Sequence, residues 1–113
     1  MSTPSTFRAD VLAGKRILIT GGGTGLGKEL ARHFVAQGAS VHICGRREAV
    51  LRQTVAELNQ AAQHGGGAEH HVCDVREAEQ IEAMVERIWA GGPLTGLVNN
   101  AAANFIAPST EIS

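Results

Sequence analysis

The stretch "TGGGTGLG", Thr20 to Gly27, follows directly on the apolar run Ile17-Leu18-Ile19. Five glycines in eight residues cost the folded chain order, because glycine loses more backbone freedom on folding than any other residue. The flanking patterns explain their use. Arg16 to Thr20 is short and nearly continuously apolar, as expected of a strand covered on both faces. After the glycines, Leu26, Leu30 and Phe34 recur at helical spacing, and Gly38 stands where that helix should stop. The segment is therefore a tight strand-to-helix turn. Without β-carbons, such a turn lets a phosphate group approach the backbone, and the N–H groups and dipole of the following helix favour the anion.

The same alternation continues outward. "SVHIC", Ser40 to Cys44, is β-rich, and Leu51, Val55, Leu58 and Ala62 form a helical stripe ended by "HGGG", His64 to Gly67. "EHHVC" supplies a weaker strand around His70 to Cys73, while Ile81, Val85 and Ile88 line a third helix closed by "GGP" at Gly91 to Pro93. "LTGLVNN", Leu94 to Asn100, is a fourth strand. Strands separated by single helices predict an α/β fold with a doubly wound parallel sheet. The expected order is 3-2-1-4, with helices starting near Thr24, Glu48 and Glu77. Ligands of such sheets bind at the carboxyl ends of the strands, where strand order reverses.

Composition sets the limits. A chain of 113 residues holds one modest core at most. We divide it into a flexible segment, 1–14, and part of one nucleotide-binding domain, 15–113. Ten Lys/Arg against eleven Asp/Glu, scattered along the chain, form no basic stripe for nucleic acid and no cationic face for a membrane. No apolar run approaches the ~20 residues of a bilayer span, and "MSTPSTFRAD" lacks a signal-peptide core. Cys44 and Cys73 form no close sequence pair, so a reducing cytoplasmic setting is expected. His70, His71 and Cys73 alternate along a strand without a further C-x-x-C or H-x-x-x-H, and no metal site is expected there. His33 and His42 read as packing or surface residues, Trp89 as core, and Lys28 as solvating the first helix.

The glycine spacing discriminates between phosphate motifs. G-x-G-x-x-G does not fit. G-x-x-x-x-G-K fits at Gly22 to Lys28, but Glu29 stands where a Ser or Thr should hold magnesium. T-G-x-x-x-G-x-G fits, with Thr20, Gly21, Gly25 and Gly27. With "CDV" at Cys73 to Val75 and "NNAA" at Asn99 to Ala102, in that order, the chain resembles the short-chain dehydrogenase/reductase family. "ICGRREAVL", "CDVRE" and "NNAAANFIAPSTEIS" are similar to the 2,4-dienoyl-CoA reductase branch, with Ala103 departing from a glycine of that branch. The resemblance implies a Rossmann-like domain and a nicotinamide cofactor. It assigns cofactor contacts to Gly21, Gly23, Thr24, Gly25, Leu26, Gly27, Arg46, Arg47, Asp74, Val75, Asn100, Ala101 and Ala102. For Asp74, capping of the third helix is the alternative role.

Cofactor choice follows from charge. A carboxylate ending the second strand would bond the ribose hydroxyls of NAD and repel a 2′-phosphate. Here Cys44-Gly45-Arg46-Arg47 offers no carboxylate before Glu48, and arginine pairs its planar fork with phosphate oxygens. NADP(H) is the expected cofactor, with NAD(H) the alternative. Arg46 is the expected phosphate partner, and Arg47 the more natural solvating residue of the second helix.

By resemblance, Arg76, Phe105 and Ser113 lie beside an acyl-CoA substrate, together with Arg46. The family's catalytic serine, tyrosine and lysine have no counterpart, since the chain contains no tyrosine and its two lysines, Lys15 and Lys28, stand near the start. The chain therefore reads as the amino-terminal half of a reductase that, complete, forms a homo-oligomer such as a tetramer in fatty acid metabolism. Two alternatives remain open: a ketone or alcohol substrate such as a 3-oxoacyl thioester, and a non-catalytic dinucleotide-binding module.

Overall fold

A computed structural model describes residues 11–23 and 25–100. Strands and helices alternate as β1 (Arg16–Thr20), α1 (Gly25–Ala36), β2 (Ser40–Gly45), α2 (Glu48–Ala61), β3 (Gly67–Val72), α3 (Ala78–Ala90) and β4 (Gly96–Asn99). All pairings are parallel, in the order β3-β2-β1-β4. This is the expected doubly wound arrangement. Its strand order reverses beside β1, which carries the glycine segment at its carboxyl end.

Period-two alternation in β1 sends side chains to two cores. Ile17 and Ile19 join Val41, Ile43, Ala31, Val35, Leu51 and Leu58 beneath α1 and α2. Leu18 faces the other way, onto Cys44, Cys73, Met84 and Ile88 beside α3. Both strand faces are covered, so the three central residues of β1 and the four of β2 from Val41 to Cys44 are all buried. Beyond α1, Gly38 adopts φ +101° and donates its N–H to Val35 O at 3.2 Å, which turns the chain into β2.

One packing expectation is corrected, and one apolar row lies differently from its spacing. Leu26 heads the row Leu26, Leu30 and Phe34, yet it is 66 % exposed. The buried positions are Gly27, Ala31 and Val35, whose small side chains let α1 lie close on the sheet, and Leu26 precedes that row by one residue. Trp89 was expected in the core and is 52 % exposed. Met84 and Ile88 are the inward residues of α3, and one further step of about 100° turns Trp89 outward.

His42, read from sequence as packing or surface, is 5 % exposed on the α3 side of β2. Its Nδ1 lies 3.0 Å from His71 Nε2 on β3. Burial lowers the pKa of both rings, and His42 adds to the effect on His71, which falls to about 4. Lys28 does more than solvate α1: its Nζ meets Glu57 Oε1 of α2 at 2.5 Å.

Candidate functional site

The glycine turn is anchored to three neighbouring elements. Gly21, at φ +70°, takes the chain off β1, and its N–H donates to Cys44 O of β2 at 3.1 Å. Asn100, just past β4, donates from Nδ2 to Gly21 O at 3.2 Å. Thr54 of α2 donates its buried hydroxyl to Gly23 O at 2.8 Å. At the end of β1, Thr20 Oγ1 lies 3.0 Å from Asn99 Oδ1, to which it donates. Together these bonds hold the turn before any ligand arrives, and such preorganisation lowers the cost of binding.

Close approach explains two of the glycines. A β-carbon at Gly27 would run into Gly21 O and sit 3.0 Å from Asn100 Nδ2. At the buried Gly22 it would lie 2.5 Å from Ile43 Cγ2. The first helical turn therefore presses directly on the chain leaving β1. Sequence reasoning missed Gly22 and Thr54 as supports of the site. Gly22 falls on an unspecified position of the motif that fits, and the Thr54 bond joins residues 31 positions apart.

Beside this turn lies a cleft of about 140 Å³, lined by Gly21, Gly23, Gly45 and Arg47 and walled by Val50 and Leu51. That volume suits a phosphate with part of its sugar rather than a whole dinucleotide. Of the two arginines, Arg47 lines the cleft. Arg46 is exposed at the β2–α2 turn, within electrostatic reach of Asp74. Arg47 is also the N-cap residue of α2 and makes no capping bond with its side chain. Glu48, the first carboxylate after β2, lies 3.6 Å from His70 Nε2 on β3. A glycine cradle, a helix start and an arginine on one cleft fit a phosphate-bearing cofactor.

Asp74 stands beyond the carboxyl end of β3 and pairs with Arg76 in a fork: Nε to Oδ1 and Nη2 to Oδ2, both at 3.0 Å. Arg76 N–H also donates to Oδ1, and these bonds hold the carboxyl at a pKa of about 2. Asp74 does not cap α3, whose N-cap residue is Glu77. Instead it shapes the turn before that helix, while its own N–H donates to Gln80 Oε1 at 2.8 Å. The structure thus brings Arg76 to Asp74, and the guanidinium is engaged there. Val75 packs partly into the core beside α3, and Leu26 stands exposed on the first turn of α1. Thr24, Ala101, Ala102, Phe105 and Ser113 lie outside the described residues. Cys44, which also lines the cleft, is buried, and burial with Cys73 nearby pushes its thiol up to about 11. A thiol held up in this way is mostly protonated at neutral pH.

Residues 15–113 match the family model of the short chain dehydrogenases. The chain is 41 % identical over 110 residues to a peroxisomal 2,4-dienoyl-CoA reductase, (3E)-enoyl-CoA-producing, of Arabidopsis thaliana, covering 96 % of this chain and 36 % of that protein. Among solved structures, a citronellol catabolism dehydrogenase of Pseudomonas aeruginosa PAO1 superimposes with a TM-score of 0.75 at 37 % identity, covering 82 % of this chain and 38 % of that one. An actinorhodin polyketide ketoreductase variant solved with NADPH gives 0.71 at 39 % identity, over 78 % and 33 %. The chain spans about a third of the length of the curated relatives it matches.

Proposed function

The chain belongs to the short-chain dehydrogenase family, and from that premise we propose that it is the cofactor-binding part of an NADP(H)-dependent reductase of unsaturated acyl-CoA esters. The anchored glycine turn beside Arg47, with no carboxylate among the described residues that line the cleft, is the observation that carries the cofactor reading. In that reading Gly21, Gly23, Gly25 and Gly27 admit the pyrophosphate, and the start of α1 favours its charge. Arg46 and Arg47 take the 2′-phosphate, Asp74 and Val75 border the adenine, and Asn100 holds the turn against β4. Thr24, Leu26, Ala101 and Ala102 complete the proposed cofactor contacts. A bound nicotinamide supplies hydride.

Similarity to the Arabidopsis reductase across nearly the whole chain supports an acyl-CoA substrate. In this reading Arg46, Arg76, Phe105 and Ser113 border the ester, cations near its phosphates and the phenyl ring near its acyl chain. The Asp74 carboxylate keeps Arg76 in place until phosphate oxygens compete for the guanidinium. The proton donor belongs to a part of the reductase that has no counterpart here, because this chain has no tyrosine. The whole reductase is proposed to be a cytoplasmic homo-oligomer; consistent with a reducing setting, Cys44 and Cys73 are buried free thiols. No described helix is long and apolar enough to cross a membrane.

A second reading, reduction of a ketone such as a 3-oxoacyl thioester, is favoured by the likeness to the polyketide ketoreductase. One experiment separates the two. The full-length reductase is given NADPH with a 2,4-dienoyl-CoA and, separately, with small ketones and a 3-oxoacyl thioester. Oxidation of NADPH by the dienoyl ester supports the first reading. Oxidation by ketones or the 3-oxo ester alone replaces it with the second.

A further inference from the structure

We propose that His42, Glu69 and His71 form a binding site for one divalent transition-metal cation of the zinc class. The donors come from adjacent parallel strands. His42 of β2 is in register with Glu69 of β3, and His71 follows Glu69 by two residues, so all three side chains leave the same face of the sheet. That is the face packed by α3, to which Cys44 and Cys73 also contribute.

The distances suit one ion. His42 Nδ1 lies 3.0 Å from His71 Nε2 and 3.7 Å from Glu69 Oε1, and the three donor atoms all fall within 4.8 Å of one another. Zinc bonded to nitrogen and oxygen at ~2.0–2.2 Å in a tetrahedron sets its ligand atoms about 3.4 Å apart. The observed spacings bracket that value, so small side-chain rotations close the site without moving either strand. In the hydrogen-bonded pair, one ring nitrogen donates to the other. A cation replaces that shared proton when the donating ring carries its hydrogen on the opposite nitrogen instead. Glu69 supplies the negative charge, and water takes the fourth position.

Access and selectivity follow from the surroundings. Glu69 is exposed, and with His42 it lines an open cavity of about 220 Å³ that also touches Arg16, Asn59 and Ala68. Glu69 favours a cation beside both rings, while Arg16 opposes it at His42 and Arg87 opposes it at His71. A two-nitrogen, one-oxygen set in that field suits zinc, nickel or copper, which bind imidazole strongly, over magnesium or calcium, which need several oxygens. None of the three residues lines the cleft at the glycine turn. His70, between Glu69 and His71, points away to Glu48 of α2.

The test is a calorimetric titration of the full chain with zinc chloride in a non-chelating buffer. One zinc per chain is expected. Glu69→Gln alters an exposed group, leaves folding intact, and should weaken binding by at least ~10-fold. His71→Gln should abolish it, whereas His70→Gln should bind as the unaltered chain does. Cobalt bound in place of zinc should give the intense visible bands of a four-coordinate ion. Unchanged affinity in both Glu69→Gln and His71→Gln, loss of binding in His70→Gln, or no binding at 1:1 stoichiometry by the unaltered chain overturns the site. None of these readouts depends on reductase activity.

Discussion

Replacing Gly27 with alanine probes the turn that organises the cofactor cleft. The added methyl would strike the carbonyl oxygen of Gly21, lie 3.1 Å from Gly21 C and crowd Asn100 Nδ2 at 3.0 Å. Two of those three atoms are backbone and cannot swing aside, so the turn must move or α1 must lift. Overpacking of this kind costs ~1–3 kcal/mol. Displacing Asn100 also breaks its hydrogen bond to Gly21 O, for about 1 kcal/mol more. The expected loss is therefore about 2–4 kcal/mol, or a urea midpoint lowered by roughly 1–2 M at a typical slope for a small domain. Gly25→Ala is the control. Gly25 has φ +62° but nothing within 4 Å of its added β-carbon, so its penalty is conformational only, ~1–2 kcal/mol. Urea unfolding followed by circular dichroism measures both variants, and fluorescence titration with NADPH reports the cleft. If Gly27→Ala proves no more destabilising than Gly25→Ala, the close approach of α1 to Gly21 is not what requires glycine there.

Arg46→Asp in the complete reductase should weaken NADPH by about tenfold or more while leaving NADH little changed, with Arg47→Asp as comparator because Arg47 lines the cleft; equal losses for both cofactors refute the 2′-phosphate contact. Thr54→Val should cost about 1–2 kcal/mol in urea unfolding, since the Gly23 carbonyl loses its hydroxyl donor, and a stability equal to the parent chain would show that α2 does not support the turn. Acid should destabilise the fold through His71, whose folded pKa of about 4 lies below its ordinary 6.5. The unfolded chain takes up that proton first, so the stabilisation is whole above pH 6.5 and is lost as pH falls towards 4. The ring is half-buried, and solvent screening reduces the loss to about 1–2 kcal/mol. Melting temperatures between pH 7.5 and 4.5 should fall less steeply in His71→Gln than in the parent, and parallel curves would exclude His71 as the group responsible.

The parallel sheet was legible because its signals are local. Apolar runs of strand length, helical stripes and glycine breaks each occupy a few adjacent residues, and their alternation leaves few topologies. The stripes themselves were harder to place. Leu26 and Trp89 are apolar at plausible spacings, but the sheet selects smaller neighbours, Gly27 and Ala31, so that α1 can approach closely. Residue size at the contact, rather than hydrophobicity alone, decided which row turned inward.

The candidate site divides along the same line. Glycines 21, 25 and 27 announce the turn by their spacing, whereas its supports, Thr54 and Gly22, depend on how α2 and β2 come to lie against it. The Asp74–Arg76 fork shows what such placement changes. Read one at a time, Asp74 is expected to border the adenine and Arg76 to meet an acyl-CoA phosphate. In the folded chain each holds the other at 3.0 Å through two bonds, and a third from Arg76 N–H fixes the carboxylate in the turn before α3. The fork uses two of the five guanidinium N–H groups, so an anionic ester meeting the others would bind Arg76 beside Asp74 and loosen its hold on the carboxylate that is proposed to border the adenine. The two proposed contacts are therefore coupled through one ion pair, and removing Arg76 should alter the affinity for the dinucleotide as well as for the ester.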